Sequence, residues 1–352
     1  MAAEAAGLGG GVAGSKAADY SRVRHECTPA RPQPSFGLAR TGETYEVAGK
    51  DVVLSSASSP QQTWTIAAVL KWAADDFRAR GIDAPRLDAE ILLAHALGTT
   101  RIQLVIDAMR PLVGGELVRF RELVKRRRTR EPIAYILGSR EFYGRVFAVD
   151  ARVLVPRPDT ETLVDTALER TRPRSMSLRA LDLCTGSGCV AISIARERPT
   201  SRVHATDVSP DALVVARQNA LRLGAYNVSF REGDLYEAVL PGQRFDLIVA
   251  NPPYVRTDEV PKLMLDVRDF EPRVALDGGA DRLALVRSIA RGAPAVLEVG
   301  GTLALEVGAG EAPEAAQILA ASGFTRVAIS RDYARIERVV DATWPGGASA
   351  KA

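Results

Sequence analysis

Arg179-Ala180-Leu181-Asp182-Leu183-Cys184-Thr185-Gly186-Ser187-Gly188-Cys189-Val190-Ala191-Ile192-Ser193-Ile194-Ala195-Arg196 is the stretch that decides the fold. Its first six residues read as a short buried strand, the next four as a glycine turn and the rest as an apolar helix. Glycine lets a backbone come close to a ligand, and the amino terminus of the helix adds the positive end of a dipole. Strand and helix patterns continue to alternate from Leu178 to Ala328, which predicts an α/β sandwich of mostly parallel strands. The last strands, Thr325 to Ser330 and Ile336 to Asp341, are expected as an antiparallel pair beside it. Gly186-x-Gly188-x-x-Ala191 also fits the dinucleotide fingerprint, so this loop alone does not separate a nicotinamide cofactor from S-adenosylmethionine. Asp207 does not decide either. It ends the next strand, where a carboxylate accepts from the ribose hydroxyls of both.

The order of signals further along separates the two. Pro210 to Gly224 reads as an amphipathic helix with a glycine stop, and Asn227 to Glu232 as a strand. Gly233-Asp234-Leu235 then turns at the level where an adenine ring would sit. The apolar run Phe245-Asp246-Leu247-Ile248-Val249-Ala250 stops at Asn251-Pro252-Pro253-Tyr254. Two prolines with φ near −65° present the Asn251 amide and the next carbonyl at the carboxyl end of the strand, where both can accept hydrogen bonds from one planar NH2 group. Tyr254 offers an aromatic face to a planar amide or base, or to a cationic methyl donor. The plain alternative is that Asn-Pro-Pro merely ends a strand, as such dipeptides do. A dehydrogenase has no use for an amide-gripping tetrapeptide here, whereas a transferase that moves a methyl group onto an NH2 does.

Further blocks carry a resemblance. They are Glu131-Pro132-Ile133-Ala134-Tyr135-Ile136-Leu137-Gly138, Glu141-Phe142-Tyr143-Gly144 and Val155-Pro156-Arg157-Pro158-Asp159-Thr160-Glu161. Phe270-Glu271-Pro272, Ala275-Leu276-Asp277-Gly278-Gly279, Arg331-Asp332-Tyr333 and Glu337-Arg338-Val339-Val340 follow. With the clamp they resemble the HemK/PrmC family, the N5-glutamine methyltransferases of peptide chain release factors, over about residues 60 to 345. The clamp alone is shared with adenine and guanine amino-methyltransferases; the Arg-Pro-Asp-Thr-Glu segment with the upstream block is more specific. The resemblance implies a Rossmann-like class I S-adenosylmethionine-dependent methyltransferase domain with a small N-terminal helical bundle joined by a β-hairpin. It implies S-adenosyl-L-methionine as cofactor, S-adenosyl-L-homocysteine as product, and the glutamine of the release-factor GGQ motif as acceptor, with translation termination as the process affected. Position by position, Cys184, Thr185, Gly186, Ser187 and Gly188 surround the amino-acid part of the donor, Asp207 takes the ribose, Leu235 lies by the adenine, and Asn251 touches both donor and acceptor. Asn251, Pro252, Pro253 and Tyr254 form the acceptor site, with the Asn251 amide oxygen and the Pro252 carbonyl as acceptors and Tyr254 as a wall. Cys184 stands where similar proteins often have Gly, and its thiol reads as structural. The segment with Arg157, Asp159 and Glu161 either covers the substrate channel or simply starts the helix Glu161 to Glu169. Glu271 has no assigned place.

Composition agrees. At 352 residues and 46% apolar content, the chain holds one large domain and a smaller one. Cys27, Cys184 and Cys189 are too few and too badly spaced for a disulfide framework or zinc site, which points to a reducing compartment. His25, His95 and His204 are scattered, so no metal site is expected, and no hydrolytic constellation emerges. No apolar stretch approaches the roughly 20 residues that span a bilayer. A net charge of +3 does not announce nucleic-acid binding, and a cytoplasmic monomer without a membrane or nucleic-acid partner is expected.

The chain divides into an Ala/Gly/Ser/Pro-rich extension over 1–58 expected to be disordered, a bundle over 59–130 for release-factor binding, a linker hairpin over 131–151, a methyltransferase domain over 152–345 and a tail over 346–352. In the bundle, Thr65 is placed to cap a helix burying Ile66, Val69, Leu70, Ala73 and Phe77, and Gly81 to end it. The run Lys125-Arg126-Arg127-Arg128-Thr129-Arg130 reads as a solvated helix end or as an electrostatic guide for an acidic partner. A hairpin is expected from Ala134 to Val149.

Overall fold

The computed structural model describes residues 64–172 and 177–346. The extension expected over 1–58 lies outside the described residues, as does the tail beyond Gly346. The helical region opens with α1 (Ile66–Ala79), whose first turn is held by the Thr65 hydroxyl accepting from the Ala68 amide at 3.2 Å. Helix α2 (Pro85–Leu97) has proline at its first position and ends on Gly98 in the left-handed conformation. Helices α3 (Arg101–Ile106), α4 (Gly114–Arg128) and α5 (Ile133–Leu137) follow. Phe77, Leu92, Leu93, Leu104 and Phe120 form the core of this bundle, and Ile136 of α5 is buried with them.

The hairpin begins later than its sequence pattern indicates. Residues 133–137 make a helical turn that Gly138 ends, and only Ser139–Phe142 (β1) and Arg145–Ala148 (β2) pair as antiparallel strands. The apolar residues Ile133, Ile136 and Leu137 face the bundle core at helical spacing, and that burial overrides the alternation. Tyr143 and Gly144, both at positive φ, make the two-residue turn.

The basic run is only in part the solvated helix end that its sequence suggests: Lys125, Arg126 and Thr129 are exposed, yet all four arginines are paired and Arg127 is buried. Arg126 meets Glu131, and Arg128 meets Asp76 with its guanidinium 5.3 Å from the Trp72 ring centre. Arg127 lies 2.8 Å from Asp88 of α2 and 2.7 Å from Asp266, which is far along the chain. Arg130 also reaches Asp266, at 2.6 Å. Burial pushes the Asp88 carboxyl up and Arg127 pulls it down. Removing one member of such a cluster strands a buried charge, at a cost of about 3–5 kcal/mol.

The rest of the chain runs α6 (Glu161–Arg170), β3 (Arg179–Leu183), α7 (Cys189–Glu197), β4 (Arg202–Asp207), α8 (Pro210–Arg222), β5 (Val228–Glu232), β6 (Phe245–Ala250), α9 (Leu265–Arg268), α10 (Ala284–Val296), β7 (Leu297–Glu306), α11 (Ala312–Ala321), β8 (Thr325–Arg331) and β9 (Glu337–Thr343). The seven strands lie in the order β5-β4-β3-β6-β7-β9-β8, all pairs parallel up to β7 and antiparallel for β7–β9 and β8–β9. One core lies beneath α6 and α7, with Leu163, Ile192, Val249 and Ala304; the other lies beneath α10 and α11, with Ile248, Leu305, Ile289 and Leu319. The chain runs outward from β3 to β5 and then returns to β6 on the other side of β3. That reversal opens a crevice at the carboxyl ends of β3 and β6, where open α/β sheets take their ligands.

Candidate active site

A cavity of about 250 Å³ fills this crevice. Its floor is the loop after β3. Asp182, the fourth residue of that strand, is buried and accepts from the Thr185 hydroxyl at 2.6 Å and the Ala191 amide at 3.2 Å, which ties the loop to the first turn of α7. Burial lifts its pKa to about 7 against those two bonds. Cys184 and Gly186 both sit at positive φ, 57° and 55°. The first is a conformation glycine takes more easily, and the loop around it leaves its backbone bent toward the cavity. Its thiol is pushed far up by burial, and that of Cys189 to about 12, so neither is a thiolate at neutral pH.

Asp207 closes one side. Its carboxylate accepts from the Gly186 amide at 2.8 Å and the Ser209 amide at 2.9 Å, and burial raises its pKa while these bonds lower it. Two oxygens carry about four lone-pair sites, so acceptor capacity remains for a ligand hydroxyl. Leu235, also at positive φ (47°), lines the cavity with Asp234.

Asn251 and Pro253 line the opposite wall. The Asn251 Nδ2 donates to the Thr160 hydroxyl at 3.2 Å, which turns the amide oxygen away from that contact. Among the described residues no donor occupies the Pro252 carbonyl. Tyr254 is half-buried, and burial together with the nearby Glu306 carboxylate raises its pKa to about 12. Pro252, Tyr254 and Gly188 do not line the cavity. Gly188 instead starts α7 at φ 80°, where a Cβ would come within 2.9 Å of Ile192 and 3.2 Å of Ala216.

The sequence blocks that surround the site meet one another here. Arg157 pairs with the buried Glu271 at 2.7 Å, which gives Glu271 its place. Asp159 pairs with Arg338 at 3.1 Å, Thr160 receives Asn251, and Glu161 accepts from the Tyr143 amide at 2.8 Å. Arg157 and Thr160 line the cavity, and no side chain caps α6. The segment is therefore a hub that joins hairpin, clamp and the last strand. The block Ala275 to Gly279 braces the clamp: the Gly278 amide donates to the Val255 carbonyl at 2.8 Å, the Val255 amide to Leu276 at 3.0 Å. A Cβ on Gly278 would stand 2.5 Å from the Pro253 carbonyl oxygen. Gly278→Ala is accordingly expected to shift Pro253 and cut turnover by roughly tenfold to a hundredfold, with donor affinity little changed; single-turnover kinetics and calorimetry check both halves.

Three residues of the site escape a reading of the sequence: Asp182, Thr160 and Glu306. Each lies inside an ordinary apolar or capping pattern, and only strand register and chain crossing bring it to the crevice.

Two family models match. One, the PrmC N-terminal domain, matches residues 68–138, and the other, the methyltransferase small domain, residues 159–266. A release factor glutamine methyltransferase of Geobacter sulfurreducens is 43% identical over 279 residues, 79% of this chain and 96% of the relative. The chain belongs to the release factor glutamine methyltransferase family. A second relative of that name, from Burkholderia pseudomallei, is 45% identical over 279 residues, 78% of this chain and 96% of its own length. Among solved structures, a protein-(glutamine-N5) methyltransferase (release factor-specific) of Alicyclobacillus acidocaldarius is 31% identical over 56% of this chain and 98% of its own, with a TM-score of 0.35. No helix among the described residues is long and apolar enough to cross a membrane, and no group of described side chains could hold a metal ion.

Proposed function

We propose that the chain transfers a methyl group from S-adenosyl-L-methionine to the side-chain amide nitrogen of the GGQ glutamine in peptide chain release factors. The observation that carries this reading is the orientation of Asn251 at the crevice, with Nδ2 engaged by Thr160 and the amide oxygen left for an acceptor. In this reading the donor would lie against the backbone of Cys184 to Ser187, the spare lone pairs of Asp207 and the apolar face of Leu235. It would supply an electrophilic methyl group on a sulfonium. A glutamine amide nitrogen is a poor nucleophile because its lone pair is delocalised into the carbonyl. Asn251 Oδ1 and the Pro252 carbonyl can accept both its protons, hold the nitrogen in line and favour pyramidalisation, while Tyr254 walls the site. Positioning of this kind is worth several kcal/mol of barrier. No side chain in the cavity is needed as a base before attack, and the proton leaves afterwards to water or to the clamp.

The bundle is the part we assign to docking the folded release factor, since one glutamine on a loop offers little contact area. Ile102, Val105, Ile106, Met109, Val113 and Val118 leave large apolar side chains exposed on α3, α4 and the turn between them. The reading places the protein in the cytoplasm as a monomer, with no nucleic acid as substrate. One assay with labelled methyl donor tests it, offering release factor, ribosomal protein and DNA side by side; label on DNA or ribosomal protein in place of release factor would replace it. Asp207→Ala is expected to weaken donor binding by roughly 1–3 kcal/mol through lost charged hydrogen bonds, and unchanged affinity by calorimetry would place the ribose elsewhere.

A further inference from the structure

Glu306 is the last residue of β7 and is 1% exposed. Leu305 pairs in register with Ala250 of β6, so Glu306 and Asn251 are the next residues on two adjacent parallel strands. Side chains alternate along a strand. Ala250 and Leu305 belong to the core beneath α10 and α11, whereas Val249 and Ala304 belong to the core beneath α6 and α7. Asn251 and Glu306 therefore project toward α6, and Thr160 stands at its start. The Asn251 Nδ2 donates to the Thr160 hydroxyl at 3.2 Å, and Thr160 and Asn251 both act to lower the pKa of the Glu306 carboxyl beside them.

We propose that Glu306 is a positioning residue that fixes which way round the Asn251 amide sits. This rests on the clamp assigned to Asn251 above. A side-chain amide presents a donor end and an acceptor end of nearly equal shape, so nothing but its partners distinguishes the two orientations. A carboxylate accepts and never donates. Placed beside Thr160, it accepts a hydrogen bond from the hydroxyl, leaves that oxygen's lone pairs to Nδ2, and attracts Nδ2 itself. The amide oxygen then faces the acceptor site. A donor in the same place would favour the reverse orientation and turn an NH2 toward the substrate NH2.

The position is a poor one for stability. Burial lifts the Glu306 pKa to about 7, opposed by Thr160, Arg338 and Asn251 and assisted by Asp159, and its Oε2 is enclosed without a hydrogen-bond partner of ordinary geometry. The other titratable groups that feel it are Tyr254 and Cys189, and Asp332 holds Arg338 from the far side. Because the folded-state pKa lies above the ordinary glutamate value, folding favours the protonated form. Stability lent by that proton is present below the ordinary value and lost as pH rises through about 7. Above that, the carboxylate weakens the fold and serves the clamp.

Glu306→Gln tests the assignment in the full-length protein with intact release factor. Expected at pH 8 are a kcat lowered roughly tenfold to a hundredfold, KM and donor affinity near wild type, and a melting temperature no lower than wild type. Added to Asn251→Ala, it should cost nothing further. Wild-type kcat should also fall below about pH 7, where the carboxyl gains a proton and can donate, and this limb should vanish in the glutamine variant. Unchanged kcat in Glu306→Gln, with Asn251→Ala inactive, would overturn the inference and leave the clamp standing. A parallel loss of donor affinity or of melting temperature would make Glu306 structural and also overturn it. Full turnover in Asn251→Ala would remove the clamp and this inference together. Should Glu306→Gln fail to fold, Thr160→Val carries the test: a fall in kcat at constant KM supports the relay, and wild-type kcat overturns it.

Discussion

Asn251→Ala is expected to abolish methyl transfer to release factor, with kcat down by roughly a thousandfold or more, while donor binding measured by calorimetry weakens only modestly. The asymmetry follows from where the residue stands. Asn251 lines the crevice wall opposite the loop Cys184 to Ser187 and Asp207, which make the donor's main contacts in the proposed arrangement. Removing its side chain deletes one of two proton acceptors for the reacting NH2 and leaves the Thr160 hydroxyl and the Glu306 carboxyl without the amide between them. The sheet should tolerate the loss, since Asn251 follows the last paired residue of β6. A variant that keeps near wild-type turnover would sink the assigned chemistry.

A chain beginning at Glu131 is expected to lose roughly a hundredfold in kcat/KM on intact release factor, the effect of removing one or two binding hot spots, and much less on a short glutamine-containing peptide. The structure shapes how this must be done. Cutting there takes away Arg127 and Arg130, leaving the Asp266 carboxylate without its partners, and uncovers Ile136. Asp266→Asn should therefore accompany the truncation so that docking is measured and not a stranded charge. Donor affinity serves as the control for folding. Equal losses on peptide and protein would mean that the bundle supports the active site, and equal retention would mean that it does neither task.

Local features of the site were legible in the sequence wherever one segment contained both the pattern and its purpose. The strand, glycine loop and helix from Arg179 to Arg196, and the apolar strand that halts at Asn251, are of this kind, and β3, α7 and β6 lie where they were read. What the sequence hid depends on residues far apart along the chain. Glu306 ends a run, Leu303-Ala304-Leu305, whose apolarity describes any buried strand, and its meaning comes only from the register with β6. Thr160 looks like the start of a helix yet caps nothing and receives Asn251. The arginines from 126 to 130 resemble a solvated end because charge runs usually are one, whereas Asp88 and Asp266 lie 39 and 139 residues from Arg127. The hairpin was placed too early because a five-residue apolar segment fits either period.

The cluster of Arg127, Arg130, Asp88 and Asp266 also bears on how this chain could be recombined with its relatives. Asp266 belongs to the segment that follows the clamp, and that same segment continues to Glu271, which holds Arg157, and to Gly278, which abuts Pro253. A foreign bundle grafted at residue 130 that lacks arginines at the places of Arg127 and Arg130 would leave Asp266 unmatched, in the segment that follows the clamp. Bundle and clamp-side segment are thus a lock and key held within one molecule, and a chimera that swaps one should swap residues 255–279 with it.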